Sequence, residues 1–345
     1  DDRVWEGVTE RAGEPISGLD AWLEARQDRA KCVLGTGGGP LAGVRTDRTA
    51  DEAYAERLLH ARRPKDQCEV EILKRACDAT AKGFARAREF AQVGVTEREI
   101  EIELQAECFR HGGERMGYHN IVGGGTNAAV LHFSPSARKV QQNEFVLIDA
   151  GCQVEGYTAD VSRTFVVGTP TTQHTELHGI VKEALEFGTS QCIPGKEWRQ
   201  LHLECALMMT KGLVSLGILK GDPQGLVERD VHALFFPHGL GHLLGLGVRD
   251  ASGYLPGRER SDRFGLANLR MDLPLESGYF TTVEPGLYFI EPLLSDPKRR
   301  ERFANDVNWD EVDRWIGIGG VRLEDDILVT DDGPVNLTKD IPLTI

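Results

Sequence analysis

Apolar positions follow a helical rhythm in some stretches of the chain and gather into short strand-like runs in others. Ile72, Leu73, Ala76, Ala79 and Phe84 recur at helical spacing, and the acidic Asp66 and Glu69 behind Pro64 mark a helix start. This pattern predicts a long helix to about Ala91. Thr96 with Glu99 three residues on has the form of a capping box, in which each residue satisfies the other's backbone N–H, ahead of Ile100, Ile102, Leu104 and Phe109. That second helix is expected to stop at Gly112. Residues 171–192 and 196–217 read as another helical pair, punctuated by Pro194 and Gly195. Residues 117–133, 144–167, 278–290 and 316–330 read as strands.

Helices in pairs with strands in hairpins predict an α+β domain over residues 65–345, with helices outside and a curved antiparallel sheet inside. The order of helix pair and hairpin recurs in its two halves without any convincing repeat of residue identity. Residues 1–64 differ: they hold one strand-like run, Lys31–Gly35, a glycine-rich stretch, Thr36–Gly43, and a charged, helix-compatible segment from Asp51 to Arg63. That is too little for a doubly wound sheet. With no initiator Met, these residues are expected to be a short or truncated N-terminal α/β domain, or an arm.

Composition narrows the partners. A formal charge of −14 over 345 residues opposes nucleic-acid binding, which draws its energy from clustered Lys and Arg displacing counterions. The same charge keeps a protein dispersed in water. Seven cysteines make an odd number with no CxxC pair, so reduced, mostly buried thiols are expected. No run approaches the roughly 20 apolar residues that span a bilayer, and the first 30 residues are too charged for a secretory signal. The expected compartment is the cytoplasm, with no membrane partner.

Candidate chemistry begins with two carboxylates. Phe145–Gly151 is an apolar strand that reaches Asp149, and Tyr157–Phe165 is a second strand that carries Asp160. The midpoint of Asp149 and Asp160 falls beside the turn expected near Glu155 and Gly156, so a hairpin makes them near cross-strand neighbours. In a half-buried sheet such like charges persist only with protons or a cation between them. Two exposed aspartates at a hairpin edge are the plain alternative, against which stands the apolar company of Val146, Leu147 and Ile148.

Residues 235–247 contain His238 and His242 four apart among four glycines. The glycines disfavour a helix, each by roughly 1 kcal/mol, whereas an extended chain still places both imidazoles on one side. Glu284 follows a strand and precedes Pro285 and Gly286, while Arg322 and Glu324 share one face of the next strand. A solvated edge glutamate and a surface ion pair are the plain readings of these positions. Charge counting connects them: Asp149, Asp160, Glu284 and Glu324 would carry about −4, which two divalent cations neutralise, with His242 as a neutral nitrogen ligand. Such an oxygen-rich set favours manganese or cobalt over structural zinc. A pair of ions sharing a water yields hydroxide near neutral pH, a nucleophile for hydrolysis.

With these residues in this order, the chain resembles the pita-bread metallopeptidases, and within them the Xaa-Pro dipeptidases, or prolidases. The resemblance runs from about residue 66 to the C-terminus and is carried by LIDAG at 147–151, TADVSRTF at 158–165, PHGLGHLLGL at 237–246, TVEPGLYFIE at 282–291 and GGVRLEDDILVT at 319–330. The segment 292–315, with Asn308 and Trp309, and the run Leu266–Arg270 suggest the dipeptidase branch. The resemblance implies a curved sheet flanked by helices and two divalent ions, with manganese ahead of cobalt or zinc. It also implies a small Xaa-Pro dipeptide as substrate and a homodimer.

The roles it implies are residue by residue. Asp149 resembles the ligand of one metal, Asp160 and Glu324 the bridging ligands, and His242 and Glu284 the ligands of the other, with Glu284 also the proton shuttle. His132 matches a histidine that meets the substrate or its oxyanion, His238 supports the ligand set, and Arg322 holds the bridging carboxylate. Arg270 matches the arginine that receives the proline carboxylate, and Tyr118 is a pocket residue. Where the family usually has Val-His-Asp, this chain has Val248, Arg249 and Asp250. Arg249 is expected either to face the site and bind the substrate carboxylate beside Arg270, or to pair with Asp250. Two further readings stand beside the dipeptidase: an aminopeptidase P acting on longer peptides, and a metal-free pita-bread binding protein. The latter should have lost the carboxylates that this chain keeps.

Overall fold

The computed structural model describes residues 15–29, 31–32 and 47–345. The chain divides into two compact units, Asp1–Ala61 and Arg62–Ile345. In the first, the described elements are a 3₁₀ turn (Ile16–Gly18), α1 (Leu19–Glu24) and α2 (Arg48–Arg62), the last running one residue into the second unit and burying no side chain. The glycine-rich stretch expected at 36–43, and all but the first two residues of the run 31–35, lie outside the described residues.

The second unit opens with α3 (Gln67–Phe90) and α4 (Glu97–Arg110). Both begin with the reciprocal caps read from the sequence. Asp66 accepts from the Glu69 backbone at 2.9 Å while Glu69 accepts from that of Asp66, and Thr96 and Glu99 do the same. α3 buries Leu73, Ala76, Cys77, Thr80, Phe84 and Ala87 on one face. In α4 the buried face is Glu97, Ile100, Glu101, Leu104 and Cys108, so two of the apolar positions assigned to that helix, Ile102 and Phe109, are exposed on its other side.

β1 (Arg115–Met116), β2 (Ile121–Gly124), β3 (Glu144–Ala150), β4 (Cys152–Val154), β5 (Tyr157–Thr158) and β6 (Val161–Val167) follow. β3 lies between antiparallel β2 and β6. Its alternate side chains enter two cores: Phe145 and Leu147 pack in the layer of α5 (Thr172–Ser190) and α6 (Trp198–Ser215), and Val146 and Ile148 pack with Phe84, Ile100 and Leu104. Burial on both faces explains why this strand is a continuous apolar run. The strand expected over 117–133 is largely corrected: beyond β2 the chain turns through a 3₁₀ segment, Gly125–Ala129, and His132 sits on a loop.

The second half contributes β9 (Phe280–Val283), β10 (Gly286–Tyr288), β11 (Gly320–Arg322) and β12 (Asp325–Leu328), after the short parallel pair β7 (Gly253–Tyr254) and β8 (Met271–Asp272). The antiparallel sheet structure expected from the sequence is built of short ladders, antiparallel except for that pair. Residues 240–244 run extended beside β9, with the Thr282 N–H donating to His242 O at 2.9 Å and the Glu284 N–H to Leu240 O at 2.7 Å. A side chain at Gly241 would place its Cβ 2.3 Å from the Thr282 carbonyl oxygen, so glycine is required for this approach. Five of the seven cysteines are buried, and all are free thiols. No helix among the described residues is long and apolar enough to cross a membrane.

Candidate metal centre

Asp149 lies at the end of β3 directly opposite Ser162, two residues after Asp160. The two carboxylates are therefore diagonal cross-strand neighbours, the near-neighbour register expected of the hairpin. Its cause is the two-residue turn at Glu155 and Gly156, both at positive φ, which pairs Val154 with Tyr157. Tyr118 Oη lies 2.7 Å from Asp149 Oδ1 and 2.5 Å from Asp160 Oδ1. A phenol has one proton, so it donates to one of the two at a time.

The other candidates reach the same place from β9 and from the β11–β12 junction. His242 Nε2 is 3.5 Å from Asp160 Oδ2 and 4.0 Å from Glu284 Oε1, while its Nδ1 donates to Leu243 O at 3.3 Å. Burial lowers its pKa to about 4, which leaves Nε2 with a free lone pair at neutral pH. Glu324 is seated by two contacts to Ser162: its N–H donates to the Ser162 carbonyl at 3.0 Å, and Ser162 Oγ donates to Glu324 Oε2 at 2.7 Å. Ligand atoms of Asp160, His242 and Glu324 all lie within 4.8 Å of one another, and all three residues are buried.

The electrostatics suit a cation. Burial, then Asp149 and Asp326, raise the Asp160 carboxyl well above the usual range; burial, then Asp160 and Glu284, do the same to Glu324. Burial carries Glu284 to about 7, against the opposing charge of Arg322. Burial and like charges outweigh the relief that Tyr118 gives Asp160 and Arg322 gives Glu324, a balance that a divalent ion would reverse, and oxygens with one neutral imidazole form a suitable donor set. Asp149 and Glu284 fall outside the tight group of three but line the same cavity of about 480 Å³.

Arg322 departs from its expected task. Its direct carboxylate partner is Asp149, with Nη2 2.5 Å from Oδ2, and it reaches Glu324 only through Ser162 Oγ, to which its Nε donates at 2.8 Å. Arg322 Nη1 also donates to Tyr288 Oη at 2.9 Å, and Tyr288 stands 2.9 Å from His238 Nε2. With Nδ1 of His238 donating to Gly239 O at 2.9 Å, Nε2 is the acceptor for the Tyr288 hydroxyl. His238 Nδ1 lies 3.6 Å from Glu284 Oε2. His132, Arg249 and Arg270 line the same cavity. Asp250 does not pair with Arg249: its partners are Arg62, and Lys65 at 3.4 Å.

Sequence reasoning missed Ser162, Tyr288, Asp326 and Glu97. Asp326 Oδ2 accepts from the Asp160 N–H at 3.0 Å. Glu97, buried in the first turn of α4, accepts from Gly124 N at 3.0 Å, Asn127 Nδ2 at 2.8 Å and Ser136 Oγ at 2.6 Å, and so pins the loop that carries His132. Ser162 had a usable signal, standing two residues beyond Asp160 and so on the same strand face. Glu97 had none beyond its place after a helix cap.

The sequence matches metallopeptidase family M24 over residues 71–331. It is 36% identical over 289 residues to a probable Xaa-Pro aminopeptidase pepP of Botryotinia fuckeliana, covering 82% of this chain and 62% of that protein. Against the Xaa-Pro aminopeptidase of Escherichia coli it is 39% identical over 274 residues, 79% of this chain and 55% of that one. The solved structure of E. coli aminopeptidase P with the inhibitor Pro-Leu superposes with a TM-score of 0.71 at 36% identity, covering 84% of this chain and 59% of the other. The chain thus spans somewhat over half the length of these relatives.

Proposed function

The chain belongs to metallopeptidase family M24 and has its pita-bread fold, and from that premise we propose that it is a metal-dependent Xaa-Pro aminopeptidase, which releases the residue before a proline at the second position of a peptide. The observation that carries this reading is the buried convergence of Asp160, His242 and Glu324, in a chain similar to proteins named Xaa-Pro aminopeptidase. Asp149, Asp160, His242, Glu284 and Glu324 would together hold two divalent ions. Bound there, the ions would polarise the scissile carbonyl and acidify a water so that it attacks near neutral pH.

The remaining chemistry is assigned to side chains. Tyr118 and Arg322 hold Asp149 and Asp160 in place through the contacts described above. His132, whose pKa is lowered by burial and then by the charge of Arg249, is a neutral donor for the oxygen of the attacked carbonyl. Glu284 is the candidate donor of the proton that the departing proline nitrogen requires, and His238, steadied by Tyr288, packs beside it with Nδ1 3.6 Å from Oε2. The imide nitrogen of a proline bond has no N–H for a general peptidase to grip, which is the physical reason for a dedicated site.

The relatives support the aminopeptidase alternative over the dipeptidase expected from Arg270 and the segment 292–315. The test is hydrolysis of Ala-Pro and Ala-Pro-Ala by protein loaded with manganese, cobalt or zinc, with bound metal counted by elemental analysis. Cleavage of the tripeptide is expected. Cleavage of the dipeptide alone would restore the dipeptidase reading, and metal-loaded protein that cleaves neither would overturn both.

A further inference from the structure

The cavity contains two guanidinium groups that no carboxylate among the described residues contacts directly, although both act at longer range on Glu284. Arg322, the third arginine of its lining, is buried against Asp149, but Arg249 and Arg270 are exposed and make no hydrogen bond or ion pair with any described residue. Their backbones are nonetheless held. The Asp250 N–H donates to Leu243 O at 3.0 Å and its side chain is taken by Arg62 and Lys65, which fixes the turn under Arg249 and removes the acid next to it in sequence. Asn268 donates to Pro237 O at 2.8 Å, and Tyr254 Oη donates to Leu269 O at 2.8 Å, which anchors the residues leading to Arg270. The result is a cavity with four buried or half-buried carboxylates inside and two free cations on its exposed wall, in a chain whose net charge is −14.

We propose that Arg249 and Arg270 form a two-guanidinium clamp that selects short peptides carrying two carboxylates on the proline side of the cleaved bond, the C-terminal one and an Asp or Glu side chain. This selection rests on the Xaa-Pro reading of the site. The side of the bond follows from charge, because the amino-terminal residue of the substrate brings an ammonium that two arginines repel. The number follows from geometry: each planar guanidinium offers a carboxylate a two-point contact, and these two come from separate chain segments. Elsewhere the acidic surface disfavours such peptides, so the preference arises locally.

The experiment compares Ala-Pro-Glu with Ala-Pro-Gln by kcat/KM, and the product-like Pro-Glu with Pro-Gln by calorimetry on both metal-free and metal-loaded protein. The glutamate member should be favoured about fivefold in both measurements, an advantage that Arg249→Ala largely removes, Arg249→Glu reverses and added salt weakens. Equal treatment of the pair by the parent protein, or a preference that survives Arg249→Ala, would overturn the clamp. Protein that cleaves both tripeptides equally keeps the hydrolytic reading and loses the clamp. Protein that binds Pro-Glu over Pro-Gln yet cleaves no Xaa-Pro peptide keeps the clamp and loses the hydrolytic reading.

Discussion

Arg322 and Asp149 form a buried ion pair 2.5 Å long, and the same guanidinium also donates to Ser162 and Tyr288. One side chain thereby touches the hairpin, the seat of Glu324 and the partner of His238. Arg322→Met should therefore destabilise the fold by about 3 kcal/mol or more, because it strands the Asp149 charge in the interior. Arg322→Lys, which keeps a charge but cannot serve three partners at once, should retain more stability and still lose most hydrolysis. Urea denaturation beside kcat/KM separates the two losses, and a Lys variant with full activity would refute the multi-partner role.

Removal of metal has a stability signature as well as a kinetic one. A chelator should abolish hydrolysis and lower Tm, since an ion at about a hundred times its Kd stabilises the folded state by about 2.7 kcal/mol. Asp160→Asn should weaken metal uptake strongly. In metal-free protein the same change should not lower Tm, because it removes a carboxylate that burial and its acidic neighbours already oppose. Thermal scans of parent and variant, with and without chelator, check all three expectations.

Glu97→Gln tests the loop that bears His132. The carboxylate accepts from Gly124, Asn127 and Ser136, and an amide cannot accept at both ends. The variant should lose about 1–3 kcal/mol of stability and lower kcat more than it changes metal content. Normal kcat with reduced stability would show that His132 is positioned by other contacts.

Three buried histidines away from the metal centre set an acid limit. Burial lowers His178 and His202 to about 4 and His232 to about 3, from 6.5 when unfolded. Below pH 6.5 the unfolded chain binds protons that the folded chain refuses, so stability is full above that pH and falls as pH drops towards the folded values. Each histidine contributes a slope of up to about 1.4 kcal/mol per pH unit in that window. Denaturation midpoints from pH 7 to 4.5 should fall steeply for the parent and less steeply for His202→Phe.

Reading the hairpin and reading the pocket from sequence are different problems. The caps at Asp66 and Thr96, the turn at Glu155 and Gly156, and the apolar run of β3 each depend on residues a few positions apart, and each was legible. The partner of Arg322 was not. Glu324, two residues away, was the plausible choice by strand alternation, whereas Asp149, 173 residues earlier, is the residue the fold delivers. Tyr288 shows the same limit: within β10 it reads as a core aromatic, and only the approach of His238 and Arg322 gives its hydroxyl two partners.

Residue chemistry and local pattern alone determined that four carboxylates and a histidine were available, on elements whose ends and turns obey short-range rules, in a chain of formal charge −14. Tertiary structure decided which of them converge. Asp160, His242 and Glu324 draw within 4.8 Å because β6, the extended segment beside β9 and the β11–β12 junction are locked together by backbone hydrogen bonds. It also decided that Arg249 faces the cavity. Asp250, the neighbour that could have neutralised it, is buried against Arg62 and Lys65, two cations far away in sequence. A buried carboxylate takes whichever cation packing brings within reach, and that proximity is a property of the fold.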